Sequence, residues 1–188
     1  MDELKLQHLL ARNMVIDIDK VEFPRRIAAE HVFTSIDESI EYLTKVMTFI
    51  SLNPDDPKGI EMNYLKDSPI LAINIIDEAI CSIIYEIDQQ ILHKDKDFLG
   101  YISTRITDFS NIILNMEYPK EYIPVKRSLY AMLMLIGFHT MPIPNKEEVL
   151  YSQVSYGYYQ LMRDLYRTVK PKDDWVRKFT AYYELKCK

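Results

Sequence analysis

Glycine is scarce in this chain, four residues in 188. That excludes a turn-dense β architecture, whose tight hairpins rely on residues at positive φ. It also leaves too little material for a glycine-rich phosphate cradle, and neither a Walker A motif nor GxGxxG occurs. Cysteine is scarcer still. Cys81 and Cys187 are the two in the chain, with no CxxC and no Cys/His cluster. This rules out a disulfide framework and fits a reducing, cytoplasmic setting. The four histidines, His8, His31, His93 and His139, never fall three or four residues from one another. HExxH and the Glu-x-x-His pair of di-iron bundles are both absent. No GxSxG or recognisable Cys/His pairing marks a nucleophile. There is no Asn-x-Ser/Thr acceptor, and the opening MDELKLQHLLARN lacks the apolar run of a secretory signal. No metal and no cofactor are expected.

What is there is a soluble globular composition, 48% hydrophobic and 27% charged. The length suits one domain with a proper core. The stretch from Ser68 to His93 holds nine isoleucines. Ile73, Ile76, Ile80, Ile83, Ile84, Ile87 and Ile91 recur at spacings of three and four, an arc of roughly 100° on a helix. Asp77, Glu78, Glu86 and Asp88 fall outside that arc. Four acids argue against a membrane span, since each costs about 2.5–3.5 kcal/mol near the bilayer centre. The stretch reads as the central helix of a bundle, with one broad buried face, begun by Ser68 and Pro69.

Further helices follow from the same periodicity. Ser35-Ile-Asp-Glu38 is a capping box ahead of Ile36, Ile40, Leu43, Met47 and Ile50. Phe98, Ile102, Ile106, Phe109, Ile113 and Met116 mark another face. The run from Leu129 to Phe138 is apolar almost all round, which predicts a helix deep in the core. Asn145 and Glu148 head a helix carrying Leu150, Val154, Tyr158, Leu161, Leu165 and Val169. A terminal helix with Trp175, Phe179 and Tyr182 starts at Asp173 or Asp174. Glu3–Asn13 predicts a short helix at best, and Asn53–Gly59 a plain loop. Met14–Phe23 alternates and predicts an extended segment or single strand. The expected fold is all-α, a bundle of roughly six helices with a short extended segment near residues 14–23. One domain spans 1–188. It comprises an irregular or extended segment at 1–34, a helical core at 35–170, and a basic aromatic helix or arm at 171–188 that leaves the body near Pro171.

Few residues suggest chemistry. Asp17 and Asp19 form a D-x-D that a divalent cation could bridge, though an exposed strand face explains it equally well. Cys81 lies one turn after Asp77, and a neighbouring carboxylate makes a thiol less reactive. His139 ends its helix, where a histidine meets the last carbonyls. An enzyme would need Asp17, Asp19, Cys81 and His139 to converge in a site invisible as a motif.

The C-terminus differs from the rest. From Gln160 to Lys188 eight Lys/Arg face four acids, +4, whereas the remainder has 15 bases against 24 acids, −9. Tyrosines and Trp175 are interleaved. Three readings compete: a solvated basic face over an aromatic core stripe, a protein interface rich in hot-spot residue types, and a surface for nucleic acid or another polyanion. The expected function is a non-enzymatic, regulatory or assembly subunit that binds a protein partner or itself, with nucleic acid the alternative and no membrane involved. The expected contact residues are Tyr159, Arg163, Tyr166, Arg167, Lys170, Trp175, Arg177 and Lys178.

Overall fold

The structure, a computed structural model, describes residues 1–11, 31–53, 55–93, 95–141, 147–169 and 173–188. Regular structure among them is helical, with no strand. In chain order the helices are α1 (Glu3–Ala11), α2 (Ile36–Phe49), α3 (Pro57–Ile60), α4 (Pro69–His93), α5 (Lys96–Asn115), α6 (Ile123–His139), α7 (Glu147–Val169) and α8 (Asp174–Lys186). Short 3-10 turns at Asn63–Lys66 and Lys120–Tyr122 precede α4 and α6. This is the expected all-α bundle. The alternating segment at 14–23, with Asp17 and Asp19, lies outside the described residues, as do Asn145 and Pro171.

The capping box forms with a one-residue shift. Ser35 Oγ accepts from the Glu38 N–H at 3.1 Å, while the Glu38 carboxylate accepts from the N–H of Thr34, not Ser35, at 3.0 Å. Lys5 of α1 also pairs with Glu38. The 53–59 stretch is not a plain loop. Asp56 accepts from the Lys58 N–H at 3.0 Å and Pro57 opens the single turn of α3.

Helix α4 is the axis of the bundle, packed by α1, α2, α5, α7 and the first 3-10 turn. With neighbours on so many sides, every residue from Ile73 to Ile84 is buried. The expected single buried face is therefore wrong for its middle turns, and exposure resumes only at Tyr85. The opposite correction applies to α6. Among the long helices its main packing is on α5 and α7, so Ala131, Met134 and Phe138 stay exposed despite their apolar run. Lys126 of α6 donates to the Leu114 and Met116 carbonyls at 2.9 and 2.8 Å, capping α5 with a cation. Gly157 brings α7 close to α6, since a Cβ there would lie 2.8 Å from Leu135 Cδ1.

Helix α8 is a docked helix, not a free arm. Tyr166 of α7 is fully buried, stacked on Phe179 at 5.4 Å and on Tyr183 at 5.6 Å between ring centres. No helix among the described residues is long and apolar enough to cross a membrane.

Candidate functional site

The two sides of α8 have different work. Val176, Phe179, Thr180 and Tyr183 face α7 and are buried. At 100° per residue, Trp175, Lys178, Tyr182 and Leu185 fall within an arc of about 80° on the other side. Trp175 is 39% exposed and Leu185 66%. Lys186 lies over the rings of Tyr159 and Tyr182, 5.7 and 5.4 Å from their centres, a cation–π arrangement that joins α7 to α8 at the surface. This aromatic and basic ridge is the candidate site.

The expected contact residues divide across it. Tyr166 is core and unavailable to a partner unless α8 lifts away. Tyr159 is half-buried between Tyr158 and Tyr183. Trp175 packs edge-on against Phe179 at 6.0 Å and keeps its outer side in solvent. Arg163 binds Asp164 through both Nε and a terminal nitrogen at 2.9 Å, and that carboxylate raises its pKa. Arg167 binds Glu184 across the α7–α8 seam at 2.9 Å. Arg177 pairs with Asp174 on its own helix. Lys178 is exposed, and Lys170 lies outside the described residues. Sequence reasoning left Leu185 and Lys186 out of the contact set and grouped Tyr182 with Trp175 and Phe179 on one face; plotting α8 as a wheel with its buried side fixed by Phe179 and Tyr183 puts Tyr182, Leu185 and Lys186 on the ridge. Cys187 follows the last turn of α8 near Arg163 and Asp164, and burial pushes its thiol pKa up, which disfavours the reactive thiolate.

A second cluster was invisible in the sequence. Asp77 and Glu78, adjacent on α4, are 1% and 0% exposed. The Asp77 carboxylate accepts from the Tyr158 hydroxyl at 2.6 Å, with the Cys81 thiol at 3.5 Å. Glu78 accepts from the Val32 N–H at 2.7 Å and the Ser82 hydroxyl at 3.1 Å, with His31 Nδ1 at 3.2 Å. Buried carboxylates need such donors, because desolvation of a bare charge is prohibitive. Cys81 is fully buried in this cluster. His139 lies elsewhere, its Nε2 3.1 Å from Asp88, seven residues or roughly 10 Å further along α4. The last carbonyls of α6 are instead met by Thr140, whose hydroxyl donates to the Gly137 carbonyl at 2.6 Å. Among the described residues no group of three or more His, Cys, Asp or Glu side chains is placed to hold a metal ion.

A third feature is a cleft of about 600 Å³ between α2, α3 and α5. Its charges close on one another. Lys45 binds Glu41 at 2.6 Å and Glu61 at 2.8 Å, and Asp37 accepts from Arg105 at 2.9 Å and Tyr101 at 2.6 Å. Burial works against the Lys45 charge, yet its two carboxylates raise its pKa on balance. The Tyr101 hydroxyl, then Arg105, hold Asp37 below its ordinary value.

No protein-family model, curated protein or solved structure matches the chain.

Proposed function

We propose that the protein is a non-enzymatic, cytoplasmic assembly subunit that associates with further copies of itself through the outer ridge of α8. The observation carrying this reading is the exposure of Trp175 and Leu185 beside Lys178 and Lys186 on a helix whose core contacts are already supplied by Phe179 and Tyr183. Large apolar side chains grouped with aromatics and cations are the composition of interface hot spots. The chain also carries a complement to that ridge. Of the seven acids in residues 35–67, Asp37, Glu38, Glu41 and Glu61 are ion-paired, which leaves Asp55, Asp56 and Asp67 to face a partner, and in the same stretch Leu52 is 59% and Ile60 50% exposed. Basic–apolar meeting acidic–apolar joins unlike surfaces, so the assembly is head-to-tail and closes as a ring or grows as a chain.

A polyanion is the weaker reading. Arg163 and Arg167, the cations best spaced for phosphates, are each matched by a carboxylate of the same chain, and release of counterions by nucleic acid needs unpaired ones.

Sedimentation velocity tests the proposal. Species larger than the monomer should appear between about 1 and about 100 μM, weaken as salt screens the charges, and vanish in the double variant Trp175→Glu, Leu185→Glu. A monomer across that range, or assembly unchanged by the double variant, overturns it.

A further inference from the structure

We propose that the cleft between α2, α4 and α7 is a binding site for a free apolar carboxylic acid, a function independent of the α8 ridge. The cleft encloses about 390 Å³, within the range of small-molecule sites. Val46, Ile50, Leu65, Ile73, Ile76 and Leu165 form its floor, all buried from outside solvent. It reaches the central isoleucines of α4. Water held against such a floor finds few hydrogen-bonding partners, so a hydrocarbon body displaces it favourably.

The head group follows from the rim. Lys66 and Tyr122 line the cleft, and no acid does. Lys66 is exposed and Tyr122 half-buried. An ammonium and a phenol hydroxyl, both donors, suit one monoanionic oxygen pair and offer nothing to a cation. The other cleft makes the contrast: beside α3 every cationic and acidic arm but those of Lys58 and Asp108 takes part in an ion pair within it. In the apolar cleft the charge at the rim has no such internal answer. Thr168, the other hydroxyl in the lining, already donates to the Asp164 carbonyl at 2.8 Å, so one cation and one hydroxyl remain, and they match a carboxylate better than a doubly charged phosphate ester, which leaves the second charge unmet.

Decanoate and 1-decanol serve as probes, titrated by calorimetry into the full chain below the concentration at which decanoate forms micelles. Decanoate should bind saturably at one site, about tenfold tighter than decanol, the worth of one charge-assisted hydrogen bond. Lys66→Glu, a surface change, should remove that tenfold difference and leave decanol within about twofold. Ala72→Phe, which places a ring in the cleft, should abolish both. Circular dichroism establishes that each variant folds, and if Ala72→Phe does not, the Lys66→Glu and decanol comparisons still decide. Absence of saturable decanoate binding, equal affinity for acid and alcohol, or affinity unmoved by Lys66→Glu overturns the proposal.

Discussion

Helix α4 buries two adjacent carboxylates, whereas α6, which has no acid in its length, leaves Met134 and Phe138 in solvent at 39% and 42% exposure. The difference lies in the neighbours. Around α4 stand four other helices, whereas α6 packs mainly on two of the long ones. Depth is therefore set by how many elements surround a helix, and polarity is accommodated afterwards. Asp77 and Glu78 are tolerable at full burial because Tyr158, Val32 and Ser82 supply donors. Met134 and Phe138 remain exposed because nothing among the described residues covers them, and single exposed apolar residues are common on protein surfaces.

Four experiments break or sharpen that contrast. The largest effect is expected from Glu78→Ala, which removes the acceptor of the Val32 N–H and the Ser82 hydroxyl. Urea denaturation should show a loss of about 3 kcal/mol or more, and Glu78→Gln, which keeps an acceptor oxygen, should lose less. A loss under about 1 kcal/mol for Glu78→Ala would mean that the middle turns of α4 are not buried on all sides. Next comes Tyr158→Phe. Removing the donor to Asp77 should cost about 1.5–3 kcal/mol, the range for hydrogen bonds to charged groups. On α6, Phe138→Ser should change stability by no more than about 0.5 kcal/mol. A larger loss in the same denaturation experiment would show that this face is covered in solution.

The smallest effect concerns an exposed carboxylate set against the buried pair. Asp37 has a depressed pKa in the folded state, from Tyr101 first and Arg105 second. Its contribution is therefore full above the ordinary carboxylate range and disappears as pH falls through the lowered folded value. The side chain is 56% exposed, so solvent screening limits the contribution to a few tenths of a kcal/mol. Asp37→Asn should flatten the acid limb of the stability curve by about that amount, measured as Tm against pH. An effect on the scale of Glu78→Ala would contradict the exposed geometry.

Much of the fold was legible because helices announce themselves through periodicity and caps. Ser35 does cap α2, Pro69 does open α4, and the faces of α2 and α5 match their apolar positions, whereas on α8 only Phe179 of the expected Trp175, Phe179 and Tyr182 is buried and Val176 and Tyr183 complete the core side. Burial around a helix is a tertiary property, so Asp77 and Glu78 looked solvent-facing until their partners, up to 81 residues distant in sequence, came into view. The one-turn α3 was hidden because prolines and acids read equally as loop or as helix start. Of the candidate ridge, Trp175 and Lys178 were legible from residue type. Tyr166 was misplaced for the same reason: type alone does not say which side of a seam a tyrosine occupies. Arg163 and Arg167 read as available cations because their carboxylate partners, Asp164 and Glu184, were counted as bulk charge and not as neighbours.

The attachment of α1 has a consequence for the order of assembly. Leu9 is its one buried side chain, and its carbonyl accepts from Asn74 Nδ2 at 2.8 Å across 65 residues of chain. Helices α5 to α8 meet their sequence neighbours, so they collapse through short loops, while α1 must close a long one for a small apolar return. Helix α1 should thus dock after them. In the finished protein it is also the first to detach, and its amides should exchange with solvent through an opening that leaves α4 protected.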